Sequence, residues 1–173
     1  MLSGMGADEL FGGYSRYKAV KYRRFYKILS IAIIPFIPLL RKFKSINKKI
    51  DRFESYIKEK DFIKSYSSLI GPFSSEEISE LIQGKSSSEK YYNKISKILK
   101  AAEEYSDYKK AFYLDLYGFL SHNFVVADKS SMKASIEMRV PLANKNILIK
   151  NFFEDEKNLL SFFKSKIQLR NIL

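Results

Sequence analysis

The stretch that decides the fold is SGMGADELFGGY, which occupies residues 3–14 of the 173-residue chain. Its small residues predict a tight loop at residues 3–6, because glycine adopts backbone conformations that other residues avoid. From Ala7 we expect a helix that continues to about Lys27. Asp8 and Glu9 lie in its first turn, where the helix dipole favours negative charge.

The same stretch offers a site for phosphate. At Ser3, Gly4 and Gly6 a phosphate, or a phosphate bound to magnesium, can approach the backbone closely. The Asp8 carboxylate is placed to ligate a hard cation through oxygen. The alternative is an ordinary strand-to-helix turn in which Asp8 and Glu9 only stabilise the helix start. The residue types alone leave both interpretations open.

Two glycines, Gly12 and Gly13, fall inside the predicted first helix. Each costs about 1 kcal/mol of helix stability relative to alanine. Such a pair indicates close packing, or a backbone that lies against a ligand.

The rest of the chain carries mostly helical patterns. Only residues 1–3 are typical of the end of a strand, so the sequence predicts a mainly helical chain with at most a strand stub there. The predicted features in order are a broken turn at Pro35 and Pro38, helical spacing over 46–70, a break at Gly71-Pro72, a capping box of Ser74 and Glu77 that opens a helix over 76–83, a loop at Gly84 and Ser86-Ser87-Ser88, and helices over 90–105 and 107–122.

Composition excludes several classes of site and partner. The chain has no cysteine and one histidine, His122, which rules out thiolate metal sites and two-histidine metal sites. Its net charge of +12 comes from 24 Lys and only 7 Arg, and no nucleic-acid-binding module accompanies it, so we expect no nucleic-acid partner. The apolar run over 28–40 is too short to span a bilayer, and no signal peptide is evident, so the expected location is the cytoplasm.

A second long motif, DKSSMKASIEMRVP, occupies residues 128–141. Met132, Ile136 and Val140 have helical spacing, and we expect them to face a core. Glu137 and Arg139 are expected to form a structural ion pair rather than to act in catalysis.

Both motifs resemble those of the asparagine synthase family. Residues 3–14 look like the signature of its synthetase domain, Ser-Gly-x-Gly-Ala-Asp-Glu-Leu-Phe-Gly-Gly-Tyr. Residues 128–141 resemble its Asp-Arg-x-Ser-Met-x-x-Ser-x-Glu-x-Arg-x-Pro stretch, and residues 166–170 resemble a later Lys-x-x-Leu-Arg run. Asp115 and Leu120 match an Asp and a Leu upstream of the second motif. The order and spacing agree over essentially the whole chain.

The resemblance implies a fold and a reaction. The fold is an α/β synthetase domain of the adenine-nucleotide-hydrolase-like (PP-loop) type, of which residues 1–173 would be a partial domain, the helical part without most of the parallel sheet. The family uses ATP and Mg²⁺ to adenylate a carboxylate, and ammonia from a glutamine amidotransferase domain then attacks; the usual product is asparagine.

The resemblance also assigns roles to individual residues. Asp8 and Glu9 would be catalytic, with Asp8 on magnesium, and Met5 would face the acceptor acid. The ATP or pyrophosphate site would be lined by Ser3, Gly4 and Gly6. The second motif would be structural, through Asp128, Lys129, Met132, Glu137 and Arg139.

Four departures from the family pattern qualify these expectations. The nucleotide-binding string Ser-Gly-Gly-x-Asp-Ser is not in the sequence, and the family's lysine beyond the Leu-Arg run has no counterpart before Leu173. We therefore expect a fragment that is inactive alone, binds neither ATP nor Mg²⁺ tightly, and needs a missing N-terminal half or a glutamine amidotransferase domain as partner. Met5 replaces a residue that is often acidic, and Pro141-Leu142-Ala143-Asn144 replaces Pro-Phe-Leu-Asp.

Met5 leaves the small-molecule acceptor uncertain, since a thioether cannot act as a base or pair strongly with an ammonium group. The acceptor could be aspartate or another carboxylate, for example a sugar acid. An alternative from a different class is a non-catalytic basic helical protein that serves interactions or contacts a membrane surface.

Overall fold

The computed structural model describes residues 1–33, 37–42, 44–71, 73, 75–82 and 86–172. The chain is mainly helical, which confirms the predicted class. The α-helices are α1 (Ala7–Leu10), α2 (Ser15–Lys21), α3 (Arg23–Ile33), α4 (Ile37–Leu40), α5 (Lys44–Lys58), α6 (Phe62–Ile70), α7 (Ser75–Ile82), α8 (Ser86–Leu99), α9 (Asp107–Asp115), α10 (Ser121–Lys133), α11 (Lys145–Phe153), α12 (Glu156–Leu159) and α13 (Ile167–Ile172). Short 3₁₀ turns cover Lys100–Ala102 and Pro141–Ala143, and a π-helical segment, Leu116–Leu120, joins α9 to α10.

The chain divides into two compact units. The first unit comprises Met1–Lys18 and Ala102–Leu173, and the second comprises Ala19–Ala101. The assignment of residues 1–173 to one partial synthetase domain stays a prediction.

The core of the first unit forms around α1 and α9. Leu10, Phe11 and Phe112 are buried together, and partly buried apolar residues surround them: Leu116, Leu142, Ile147, Leu148, Phe152 and Leu169. The buried amide of Asn151 on α11 donates a hydrogen bond to the Leu10 carbonyl at 3.0 Å. This contact satisfies a carbonyl at the end of α1 and fixes α11 against it.

The predicted continuous helix from Ala7 to about Lys27 is wrong. The helix stops at Leu10, and α2 begins only at Ser15. The cause is Gly12, whose φ of +68° lies in the left-handed region that favours glycine. A Cβ there would also lie 2.9 Å from Leu160 Cδ2. The two glycines therefore end one helix and turn the chain into the next.

The strand-like N-terminus pairs with the second motif. A parallel β-bridge joins Leu2 and Arg139. The Ser3 amide donates to the Arg139 carbonyl at 2.9 Å, and the Arg139 amide donates to the Met1 carbonyl at 2.8 Å. The two motifs, far apart in sequence, are thus joined through their backbones.

The expectation that Met132, Ile136 and Val140 share a buried helical face is wrong. Helix α10 ends at Lys133, and Ser135 has a φ of +55°, so the chain has left the helix before Ile136. Met132 and Ile136 are both exposed. The predicted ion pair is confirmed, since Arg139 Nη2 lies 2.7 Å from Glu137 Oε1.

The second unit is built from α3 to α8. Tyr26 of α3 packs edge-on against Phe53 of α5, with ring centroids 5.9 Å apart. The Tyr56 hydroxyl donates to the Ala19 carbonyl at 3.0 Å. Asp61 caps α6 by accepting from the Lys64 amide at 2.9 Å.

Helical spacing over 46–70 corresponds to α5 and α6, which residues 59–61 separate. The predicted loop at Ser86-Ser87-Ser88 is wrong, because these serines begin α8. The helix predicted over 90–105 ends in the 3₁₀ turn, and the one predicted over 107–122 continues through the π segment to Lys133. Predictions that involve Pro35, Pro72, Ser74, Gln83 and Gly84 lie outside the described residues.

Across the described residues, no helix is long and apolar enough to cross a membrane.

Candidate functional site

The loop before α1 presents an accessible backbone. Gly6 has a φ of +87° and leads into α1, while the Met5 amide donates to Ser3 Oγ at 3.3 Å. At Gly4, a Cβ would meet no atom within 4 Å. The loop backbone at Gly4 is therefore open to close approach by another molecule, and a phosphate site there stays a prediction.

Asp8 makes an ion pair that the sequence did not predict. Its Oδ1 lies 2.9 Å from Lys166 Nζ, and its side chain is 41% exposed. Lys166 itself has a φ of +54°, an uncommon conformation for a residue with a side chain. The ion pair therefore joins the first motif to the Lys-x-x-Leu-Arg run through side chains.

Gly13 provides the space for this ion pair. A Cβ on Gly13 would lie 1.9 Å from Asp8 Oδ1 and 2.4 Å from Lys166 Cε. The prediction of close packing at the glycine pair is thereby confirmed, with the Asp8 and Lys166 side chains directly over the Gly13 backbone.

The Glu9 side chain points into the protein, whereas the Asp8 side chain is partly exposed. It is buried, and its Oε1 accepts a hydrogen bond from the Tyr14 hydroxyl at 2.8 Å. Burial of the Tyr14 ring, together with this hydrogen bond, raises the pKa of Tyr14 well above its usual range. A buried carboxylate held this way supports the turn between α1 and α2, and a catalytic role for Glu9 stays a prediction.

Arg16 extends this contact chain to α9. Its guanidinium lies 3.7 Å from the Tyr14 ring centroid, and its Nε donates to Asp115 Oδ2 at 2.9 Å. Asp115 is buried. This charged pair fixes the start of α2 to the end of α9 and so holds the Gly12-Gly13 turn in place.

The second motif is divided between two places. Residues 137–143 lie at the loop, through the β-bridge and through Gly6, where a Cβ would lie 3.6 Å from Ala143 Cβ. Asp128, Lys129 and Met132 lie on the exposed surface of α10. The structure therefore places only the second half of this motif beside the first.

The loop residues suit magnesium that is shared with phosphate. The described residues contain no cluster of three or more His, Cys, Asp or Glu side chains able to hold a metal. Magnesium is commonly bound by one or two carboxylates together with substrate phosphates and water, so one accessible carboxylate such as Asp8 fits this mode. The neighbouring Lys166 ammonium adds positive charge at the same point.

Comparison with known proteins identifies the class. The family model described as asparagine synthase matches residues 1–149, which include both motifs. The chain therefore belongs to the asparagine synthase family. No curated protein and no solved structure gave a match. Lys166 lies beyond the matched residues, so its place at the site rests on its contact with Asp8.

Proposed function

We propose that this chain is part of an ATP-dependent ligase that adenylates a carboxylate and transfers ammonia to it. The family match over residues 1–149 supports this proposal at the level of the domain. At the level of single residues, the proposal is supported by the accessible Asp8 carboxylate, which Lys166 holds beside an open glycine loop. The proposal includes an α/β fold of the PP-loop type and a cytoplasmic location.

Each residue of the loop has a defined task in this proposal. Asp8 ligates magnesium, and the backbone of Ser3, Gly4 and Gly6 lines the pyrophosphate. Magnesium, when bound, supplies positive charge that stabilises the departing pyrophosphate. Lys166 places an ammonium group 2.9 Å from the Asp8 carboxylate, where it adds to the positive charge available to phosphate oxygens. Met5 faces the acceptor acid.

The sequence contains no Ser-Gly-Gly-x-Asp-Ser string, so the proposed reaction needs a part that binds the nucleotide. We propose that this part and a glutamine amidotransferase domain are the partners of the chain. The chain together with both partners is called the assembled enzyme below.

The test is ATP–pyrophosphate exchange by the assembled enzyme, with Mg²⁺ and a panel of carboxylic acids. We expect exchange that depends on the acid, and Asp8→Asn should lower it by about a hundredfold or more, because a magnesium ligand is lost. Asp107→Asn is the matched control, since Asp107 also lies in the first turn of a helix and is exposed. Equal activity of the two variants would show that Asp8 only stabilises its helix.

A further inference from the structure

The positive charge of the chain is concentrated in the second unit. Residues 19–101 contain eighteen Lys or Arg and eight Asp or Glu, whereas the first unit contains thirteen and eleven. The imbalance is sharpest over residues 19–50, which hold nine basic residues and no acid. An acid-free stretch of this length attracts anions, and within it Arg41 is paired with Asp51 in the folded chain.

Helix α3, Arg23–Ile33, lies within this acid-free stretch. Arg24, Lys27, Ile28 and Ile31 are spaced three and four residues apart, so they share one face, and all four are exposed. Ile28 is 70% exposed and Ile31 is 72% exposed. We call these four residues the outer face of α3.

The opposite side of α3 is occupied by the protein itself. Tyr26 lies there, and its ring packs against Phe53 of α5. The apolar residues of the outer face therefore point away from the helix that α3 packs on. Exposed isoleucines beside two cations on a helix without acids are typical of helices that lie in a membrane interface.

We propose that the outer face of α3 binds the surface of an anionic phospholipid bilayer. Ile28 and Ile31 enter the boundary between headgroups and acyl chains, while Arg24 and Lys27 contact the lipid phosphates. The charge of residues 19–50 adds attraction of longer range. A nucleic acid would satisfy the cations, but its polar backbone gives isoleucine side chains no apolar environment. This inference is independent of the ligase proposal, and either can fail alone.

The first experiment is sedimentation of the 173-residue chain with vesicles. We expect binding to vesicles of equal phosphatidylcholine and phosphatidylglycerol, and at least tenfold weaker binding to phosphatidylcholine alone or in 0.5 M salt. Ile28→Ser with Ile31→Ser should weaken binding about tenfold or more. Leu81→Ser is the matched apolar control, because Leu81 is 69% exposed on α7, whose sequence carries Glu77 and Glu80.

A second pair of variants separates local contact from total charge. Arg24→Ala with Lys27→Ala should weaken vesicle binding roughly tenfold or more. Lys94→Ala with Lys97→Ala removes the same charge from exposed positions on α8 and should change it much less. Equal effects of the two pairs would overturn the assignment to α3. Circular dichroism of every variant verifies that the helices are retained.

A third measurement reports the depth of insertion. The chain has no tryptophan, so Phe25→Trp places a single tryptophan on α3, and its fluorescence can be followed separately from that of tyrosine. Quenching by lipids brominated on their acyl chains, together with a blue shift, is the expected result. No quenching, or no binding to anionic vesicles at all, would overturn the proposal. The proposal would also be overturned if the chain formed a dimer that the double variant Ile28→Ser with Ile31→Ser abolishes, or if duplex DNA outcompeted vesicles for the chain. In either case the outer face of α3 would serve another partner.

Discussion

Gly13 shows how one missing side chain makes room for a functional group. A Cβ at this position would first meet the carboxylate of Asp8 and the side-chain methylene of Lys166. Any side chain at position 13 must displace the ion pair between them. Glycine at this position therefore leaves room for the ion pair.

Gly13→Ala should consequently push aside the flexible, partly exposed side chains of Asp8 and Lys166 and break their ion pair, which should cost about 1 kcal/mol of unfolding free energy. Thermal unfolding followed by circular dichroism measures this as a drop of a few degrees. Gly4→Ala is the control, since a Cβ at Gly4 meets no atom within 4 Å. If both variants melt like the parent chain, Asp8 and Lys166 do not lie over Gly13.

Met5 leads to a prediction about the acceptor. Its side chain is half-buried on the loop and offers an apolar, polarisable surface. An α-ammonium group facing it without a partner in a partly dry site would lose several kcal/mol of binding free energy. We therefore expect the assembled enzyme to prefer an acid that lacks this group, such as a sugar acid, over aspartate.

Competition between aspartate and such acids in the exchange assay tests this expectation. Met5→Glu should shift the preference towards aspartate, because the new carboxylate can pair with the ammonium group. Met5→Leu retains an apolar side chain and should leave the preference unchanged. Aspartate as the best acceptor of the parent enzyme, with no gain from Met5→Glu, would show that position 5 does not select the acid.

At the scale of elements, the ion pair between Arg16 and Asp115 joins α2 to α9. Both side chains are largely removed from water, and the nearest atoms lie 2.8 Å apart. Breaking a buried pair leaves one charge without compensation, which costs more than the intact pair contributes. The contact should therefore matter for stability far more than ion pairs on the surface do.

Asp115→Asn should lower the free energy of unfolding by about 3 kcal/mol, because the Arg16 charge stays buried beside a neutral amide. Glu137→Gln breaks the exposed pair with Arg139 and should cost less than about 1 kcal/mol. Urea unfolding of both variants gives the comparison. Similar losses for the two would mean that Arg16 gains access to water or another partner.

The same scale shows what the sequence could predict. Helical spacing predicted a helix over 107–122, which contains α9 and only the first two residues of α10, because apolar side chains recur along that segment. The Gly12-Gly13 pair is a local signal for the end of α1, since glycine in the left-handed region commonly ends a helix. The packing of Gly12 against Leu160 and Tyr108 depends on distant parts of the chain and could not be predicted from local patterns. The contact of Lys166 with Asp8 is missed for the same reason, since spacing within a segment carries no information about partners elsewhere.

At the scale of the whole molecule, the two units differ in charge. The first unit holds the candidate site and is nearly balanced, while the second carries most of the net charge of +12. A phosphate-binding loop does not need charge on a separate unit. The basic second unit is consistent with the proposed contact of α3 with anionic lipid.

Buried tyrosines determine how stability responds to alkaline pH. Burial of the Tyr108 ring raises its pKa well above the ordinary 10.0, with a smaller contribution from the charge of Glu156. Above pH 10 the unfolded chain loses this proton while the folded chain retains it. The folded state then binds more protons, so stability is fully present below pH 10 and falls as the pH rises.

Tyr108→Phe should therefore make the unfolding free energy less sensitive to alkaline pH. One proton retained only in the folded state lowers the unfolding free energy by about 1.4 kcal/mol per pH unit. Between pH 10 and 11 the variant should therefore lose less unfolding free energy than the parent chain does. Below pH 9 the difference in unfolding free energy between the two proteins should be constant.

Lys109, whose pKa is lowered by burial, affects the pH dependence with the opposite sign, but it is present in both proteins and cancels in the comparison. Tyr91→Phe, at an exposed position on α8, is the control and should retain the slope of the parent. Urea unfolding from pH 8 to 11 measures all three, and identical slopes for Tyr108→Phe and the parent would show that the Tyr108 hydroxyl reaches water in the folded chain.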